Sequence, residues 1–325
     1  MKIFSGSSNK PLAQKIANNL GLELSPIELL VFPDGERRIK LNDLVVEEDT
    51  VVVQSTATPV DQNYTELFFI IDALRRSGAR SVTVIVPYLG YQRQDHVFRD
   101  GEAVSLQVMI KLLESLKVDK IIAFDLHSIK IPEFFHMPLV HLSALPLFAE
   151  NIRNLMQGDK WAKRDNGYKG SSAPSDSSHV LVSPDMGGLR RIERMSELLN
   201  NMHWIATVKD RDLDTGNIEI SSIDFLKSGM SETNLKGMSA LVVDDMASSG
   251  GTLIESAKLL KKYGVEKIYA FITHPIFSAD APRLLQDSEI EKVFVTDSVF
   301  VPEEKMFDKL EILSIAEMIA KELKY

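Results

Sequence analysis

The feature that most constrains this chain is an internal repeat. Ser105–Phe124 and Thr252–Phe271 align without a gap, sharing Leu, Lys-Leu-Leu, Val, Lys-Ile and Ala-Phe at matching positions, and the match continues to His127 and His274. Each copy reads as an amphipathic helix running into a β-branched strand. A pattern recurring at one domain's spacing points to a duplicated unit, the alternative being coincidence between two helix-to-strand segments.

The flanking sequence extends the rhythm. Thr50–Gln54, Val82–Val86 and Lys120–Phe124 read as strands, with helices over Glu66–Ser77 and Val104–Leu116 between them. In the second half His179–Ser183, Met202–Val208, Ala240–Asp244 and Lys267–Thr273 read as strands, with helices over Leu189–Leu199 and Leu253–Tyr263. Short apolar strands alternating with helices imply parallel sheets covered on both faces, an α/β fold. At 325 residues two domains are expected, 1–146 and 147–325, with the C-terminal helix able to pack back on the first. The polar run from Gln157 to Ser178 reads as a surface loop.

Composition narrows the chemistry. Asp and Glu outnumber Lys and Arg 46 to 37, for a net charge of −9, so there is no electrostatic footprint for nucleic acid or an anionic membrane. The start, Met1–Gly6, turns polar too soon for a secretory segment, and no apolar run is long enough for a membrane span, so a cytoplasmic protein is expected. Without cysteine, thiolate catalysis and zinc–thiolate sites are excluded.

The strongest local signal is Leu241-Val242-Val243-Asp244-Asp245 followed by Met246-Ala247-Ser248-Ser249-Gly250-Gly251-Thr252. An apolar strand ends in two acids, and a hydroxyl- and glycine-rich turn then leads into a helix. Such a turn offers backbone N–H groups and the positive end of a helix dipole to a phosphate, while the acids can hold sugar hydroxyls. The alternative is a plain strand-to-helix connection with a capping serine. Neither a Gly-Lys-Ser/Thr nucleotide loop nor a Gly-x-Gly-x-x-Gly fingerprint is present.

This segment resembles the motif of the type I phosphoribosyltransferase fold. Further segments, in order along the chain, resemble the ribose-phosphate diphosphokinase (phosphoribosyl diphosphate synthetase) family, which carries two copies of that fold. The resemblance implies ATP binding by Phe32, Asp34, Gly35 and Glu36, contributed to a neighbouring subunit, and by Arg93, Gln94 and Asp95. It implies Mg2+ held by His127 and Asp185, and catalysis by Lys209 and Arg211 on a mobile loop after the strand Met202–Val208. Ribose 5-phosphate would be bound by Arg211, Asp244, Asp245, Ser248, Ser249, Gly250, Gly251 and Thr252. The implied reaction moves the diphosphoryl group of ATP to the C1 hydroxyl of ribose 5-phosphate for nucleotide biosynthesis, in a hexamer built from dimers. The chain departs from the family pattern at Ser248, where an acid is common, and after Arg211, where an Arg-Pro-rich run is common. A phosphoribosyltransferase and a noncatalytic regulatory subunit of the synthetases are the competing readings.

Overall fold

The computed structural model describes residues 1–158, 178–211, 218–225 and 230–324. The chain forms two compact units: Met1–Ser143 with Asp297–Phe300 and Ser314–Tyr325, and Ala144–Thr296 with Val301–Leu313.

The first unit contains β1 (Lys2–Ser5), α1 (Lys10–Leu20), β2 (Ile27–Val31), β3 (Arg37–Leu41), β4 (Asp49–Val53), α2 (Val60–Arg76), β5 (Ser81–Val86), α3 (Ser105–Ser115), β6 (Lys120–Phe124) and β7 (Leu139–Leu142). Five strands form a parallel sheet in the order β1-β4-β5-β6-β7, and β2 and β3 make a separate antiparallel hairpin. Val52, Val82, Val84, Val86, Ile121 and Ala123 face a core shared with Leu67, Ile70, Ile71 and Leu74 of α2 and Leu106, Ile110 and Leu113 of α3. The hairpin lays Ile27, Leu29, Ile39 and Leu41 against the same core, the alternation expected of a sheet with one wet face.

The second unit contains α4 (Leu145–Gly158), β8 (His179–Ser183), α5 (Leu189–Leu198), β9 (Trp204–Arg211), β10 (Ile218–Asp224), β11 (Ser239–Ala247), α6 (Gly251–Lys262), β12 (Lys267–Pro275), α7 (Ala281–Gln286), β13 (Lys292–Thr296) and β14 (Leu310–Leu313). Its sheet runs β10-β9-β8-β11-β12-β13-β14, parallel except for the β9–β10 pair. Both faces are buried. Val180, Val182, Ala240, Val242, Ile268, Ala270 and Ile272 enter one core, and Leu181, Leu241, Val243, Tyr269 and Phe271 enter the other.

The repeat read from the sequence is structural: α3 and β6 correspond to α6 and β12, and β5-β6-β7 recurs in order as β11-β12-β13. After β14 the chain returns to the first unit as α8 (Ala316–Leu323). There Asp297 holds the tail, accepting from Ser314 Oγ (2.6 Å) and Ile315 N (2.8 Å) and pairing with Lys15 Nζ (2.9 Å).

Three differences from the sequence reading stand out. Helix α2 begins at Val60 rather than Glu66, since Pro59 supplies an extended N-cap and Asp61 favours the helix N-terminus. Strand β11 runs past Asp244 to Ala247 because β12 pairs with it as far as Pro275. Lys209-Asp210-Arg211, expected in a loop, has strand backbone in β9 because β10 pairs with it antiparallel. Most of the polar 157–178 stretch lies outside the described residues. Among the described residues no helix is long and apolar enough to cross a membrane.

Candidate active site

In the second unit, the crevice arises from unequal strand pairing. β8 pairs with β11 only as far as Val242, whereas β12 continues alongside it to Ala247. From Val243 onward one edge of β11 is open, and Asp244 and Asp245 sit there. The carboxyl end of a parallel strand with an unpaired edge is where α/β sheets bind ligands.

The two acids share a cation. Arg191 of α5 donates from Nη1 to Asp244 Oδ1 at 2.8 Å, and its Nη2 lies 3.3 Å from Asp245 Oδ1. The Asp244 carboxylate also accepts the Asp245 backbone N–H at 2.9 Å. Burial, and after it the Asp245 charge, push the Asp244 carboxyl well above the usual range, while Arg191 pulls it down. The pair is therefore a partly neutralised acceptor surface, suited to hydroxyl groups.

Next along the chain, Gly250 adopts a left-handed conformation (φ 78°), which turns the backbone into α6. The first intrahelical bond is Ile254 N–H to Gly250 O, so the N–H groups of Gly251, Thr252 and Leu253 precede it at the positive end of the dipole. Ser249 and Gly251 are exposed. Ser248, at the position where an acid is common, packs its hydroxyl 3.1 Å from Ser278 Oγ, and its carbonyl accepts Ser278 N–H at 3.0 Å. Asp185, after β8, caps the turn Met186–Gly188 by accepting Gly188 N–H at 3.1 Å.

The first copy has diverged at the corresponding turn. There the backbone N–H groups of Phe98 and Arg99 donate to Glu102 Oε2 at 2.9 and 3.0 Å. Those donors precede the helix, and at the helix start itself Leu106 N–H, the counterpart of Leu253 N–H, is taken by Gln94 O at 3.3 Å.

Elsewhere in the first unit, Tyr88–Asp95 follows β5. Gly90 is fixed by close approach, because a Cβ there would stand 2.4 Å from Thr56 O. Gly90 N–H donates to Thr56 Oγ1 (2.7 Å), and the Tyr64 hydroxyl, its pKa raised chiefly by burial, donates to Gly90 O (2.9 Å). Past this anchor, Arg93 and Gln94 are exposed and Asp95 binds His96 Nδ1 at 2.6 Å. Gln92 is wholly buried and its Oε1 accepts the His127 N–H at 3.0 Å, tying this turn to the one after β6. His127 is exposed, whereas its repeat counterpart His274 is fully buried. His141 Nε2 accepts Leu126 N–H at 3.0 Å, which requires that nitrogen unprotonated, and burial lowers the ring's pKa. Phe32–Glu36 forms the exposed tip of the β2–β3 hairpin, closed by Phe32 N–H to Glu36 O (2.8 Å) and Gly35 N–H to Phe32 O (2.9 Å).

Lys209 and Arg211 have their backbone in β9, but their side chains lie outside the described residues, as does the segment 212–217. Sequence reasoning missed Arg191 and Gln92. Arg191 left a signal: a basic residue in the first turn of a helix opposes the dipole and calls for a nearby acid. Gln92 left none.

Among the described residues no three His, Asp or Glu side chains gather as a metal-ligand set. Magnesium keeps several waters and takes one or two protein carboxylates together with substrate phosphates, and Asp185, just after β8, is a carboxylate of that kind.

Duplicated parallel sheets, with paired acids and a glycine turn at an open strand edge, define a tandem protein of the type I phosphoribosyltransferase fold. Residues 1–116 match the family model for the N-terminal domain of ribose phosphate pyrophosphokinase, and residues 231–325 match the phosphoribosyl synthetase-associated domain. A ribose-phosphate pyrophosphokinase of Fusobacterium nucleatum is 35% identical over 98% of this chain and 93% of its own length. Ribose-phosphate pyrophosphokinase 1 of Streptococcus pneumoniae is 34% identical over 98% and 91%. The crystal structure of phosphoribosylpyrophosphate synthetase from Mycobacterium smegmatis superposes with a TM-score of 0.85 at 28% identity, covering 99% of this chain and 97% of that one. The chain belongs to the ribose-phosphate pyrophosphokinase family.

Proposed function

We propose that the chain transfers the diphosphoryl group of ATP to the C1 hydroxyl of ribose 5-phosphate, giving phosphoribosyl diphosphate and AMP. The observation that carries the reading is the open edge of β11, where Asp244 and Asp245 stand one turn before the N-terminus of α6 in a chain related to the pyrophosphokinases over its whole length.

In the second unit Asp244 and Asp245 accept hydrogen bonds from the pentose hydroxyls. The turn Ser248–Thr252 holds the 5-phosphate through backbone N–H groups and the Ser249 and Thr252 hydroxyls. In the first unit Arg93, Gln94 and Asp95, with the hairpin residues Phe32, Asp34, Gly35 and Glu36, bind ATP. His127 and Asp185 are assigned to magnesium, which when bound with the ATP phosphates neutralises their charge. Lys209 and Arg211 stabilise the charge that develops on the transferred group, and Arg211 also contacts ribose 5-phosphate. Phosphoryl transfer depends mainly on positioning and electrostatics, so cations of this kind are the expected machinery.

The C1 hydroxyl oxygen attacks the β-phosphorus, the bond from that phosphorus to the oxygen bridging it to the α-phosphate breaks, AMP leaves with that oxygen, and the hydroxyl proton is released to solvent. A homo-oligomer of dimers assembled into hexamers and a cytoplasmic location belong to the same reading, the exposed apolar tip Leu30, Val31 and Phe32 being consistent with a subunit contact. Retention of His127, Asp185, Lys209, Arg211 and Asp244 disfavours a noncatalytic subunit. Calorimetric titration with ribose 5-phosphate tests the assignment: the wild type binds, and Asp244→Ala weakens binding at least tenfold. Equal affinities would remove the acids from the sugar site.

A further inference from the structure

The β2–β3 hairpin is a two-stranded ribbon with one wet face, and such ribbons have little stability of their own. Its apolar side is seated on the first unit, but Phe32–Glu36 extends beyond the last ladder pair, Val31 with Arg37. Where that tip points depends on what fixes Arg37.

Arg37 is pinned by an acid buried in α2. Its Nη1 donates to Glu66 Oε2 at 2.7 Å, its Nη2 donates to Gln62 Oε1 at 3.1 Å, and only 1% of the Glu66 side chain is exposed. The remaining Glu66 oxygen accepts Ser7 N–H at 2.6 Å and Gln54 Nε2 at 3.0 Å. Gln54 in turn accepts from the Ser8 backbone N–H (3.1 Å) and hydroxyl (2.8 Å). One carboxylate thus joins the neck of the hairpin to the turn after β1 and to the end of β4. Removing a charge from water in this way is costly unless every oxygen is satisfied, and here each oxygen is.

We infer that the Arg37–Glu66 pair positions the hairpin tip for ATP, making Arg37 and Glu66 positioning residues of the reaction. Ile27, Leu29, Ile39 and Leu41 fix the ribbon's plane, while the ion pair fixes the last residue before the tip and so the direction in which Phe32, Asp34 and Glu36 are presented. The inference rests on the assignment of Phe32–Glu36 to ATP. Arg37 and Glu66 are engaged with Gln62, Ser7 and Gln54 and act through the hairpin, so losing the pair should weaken ATP binding and leave ribose 5-phosphate binding alone.

The test is the double variant Arg37→Met with Glu66→Gln, which removes both charges together and avoids stranding a buried carboxylate. Steady-state kinetics with each substrate varied, alongside circular dichroism, separate positioning from general damage. A folded variant whose KM for ATP rises roughly tenfold, while kcat and the KM for ribose 5-phosphate stay within about twofold, is the expected result. An unchanged KM for ATP, or equal rises for both substrates, overturns the inference. Phe32→Ala separates the two levels. If it raises the KM for ATP and the double variant does not, only the positioning role falls; if it leaves that KM unchanged, the ATP assignment of the tip falls and the inference with it. Should the double variant fail to fold, Arg37→Lys is the second probe, since it keeps a cation for Glu66 but loses the two-point contact with Glu66 and Gln62, judged by the same KM split.

Discussion

Replacing Arg191 with methionine strands the Asp244–Asp245 pair. Two carboxylates, with side chains 12% and 4% exposed, would keep their mutual repulsion and lose the guanidinium now 2.8 and 3.3 Å away. At an effective dielectric near 20, unit charges about 4 Å apart interact by about 4 kcal/mol. Breaking a buried pair by removing one partner costs about 3–5 kcal/mol. For a unit of roughly 160 residues the unfolding entropy is about 0.34 kcal/mol/K, so the second unit's melting temperature should fall by roughly 9–15 °C. The pH dependence follows from the raised pKa of Asp244. The folded state binds a proton that the unfolded state has released, from the unfolded pKa of 3.8 up to the raised folded value. Stability from that proton is full below the unfolded pKa and is lost as pH rises through the folded one, by at most about 1.4 kcal/mol per unit. Removing Arg191 raises the folded pKa further, so the deficit should be larger at pH 8 than at pH 5. Differential scanning calorimetry at both values reads this directly. A melting point within 2 °C of wild type, or a deficit no larger at pH 8, would refute the electrostatic account.

Gly90→Ala places a Cβ 2.4 Å from Thr56 O and should cost about 1–3 kcal/mol by overpacking, measured by urea unfolding of the variant. Gln92→Met keeps the volume but removes the acceptor for His127 N–H; it should raise the magnesium concentration needed for half-maximal rate, and an unchanged magnesium requirement contradicts that. His141 has a lowered folded pKa, so its contribution is present above the unfolded value of 6.5 and is lost as pH falls through the folded one; the protection factor of the Leu126 amide, its exchange rate corrected for the intrinsic pH dependence, should fall on acidification, and a constant protection factor contradicts that. Lys209→Ala should lower turnover by more than it raises either KM, and near-normal turnover would end its catalytic assignment.

The α/β class was legible because its signal is strong and redundant. Strands such as Val180–Val182 and Leu241–Val243 are apolar at consecutive positions because alternate side chains feed two cores, the pattern expected of a doubly covered parallel sheet. The duplication was legible for the same reason, since α3–β6 and α6–β12 bury equivalent faces. Other features depended on partners distant in sequence. Pro33-Asp34-Gly35 is a common turn sequence, but Leu29-Leu30-Val31 before it breaks the alternation of a strand, so the hairpin pairing of Ile27–Val31 with Arg37–Leu41 rests on the tertiary packing of Ile27, Leu29, Ile39 and Leu41. The extension of β9 through Lys209–Arg211 needed β10, and that of β11 needed the length of β12. Within the site, Asp244, Asp245 and the Gly250 turn are contiguous and can be read together, whereas Arg191 comes from a helix 53 positions earlier. The divergence of the copies is likewise tertiary. His127 and His274 are equivalent in the repeat, yet one is exposed and the other sealed in the sheet.

The measurement that bears most directly on the central claim is product formation from ATP, ribose 5-phosphate and magnesium, with AMP and phosphoribosyl diphosphate quantified separately in wild type and Asp244→Ala, with and without added phosphate. The account predicts both products in equal amounts from the wild type and their loss in the variant. Binding of both substrates without either product would contradict it and assign the chain a noncatalytic role.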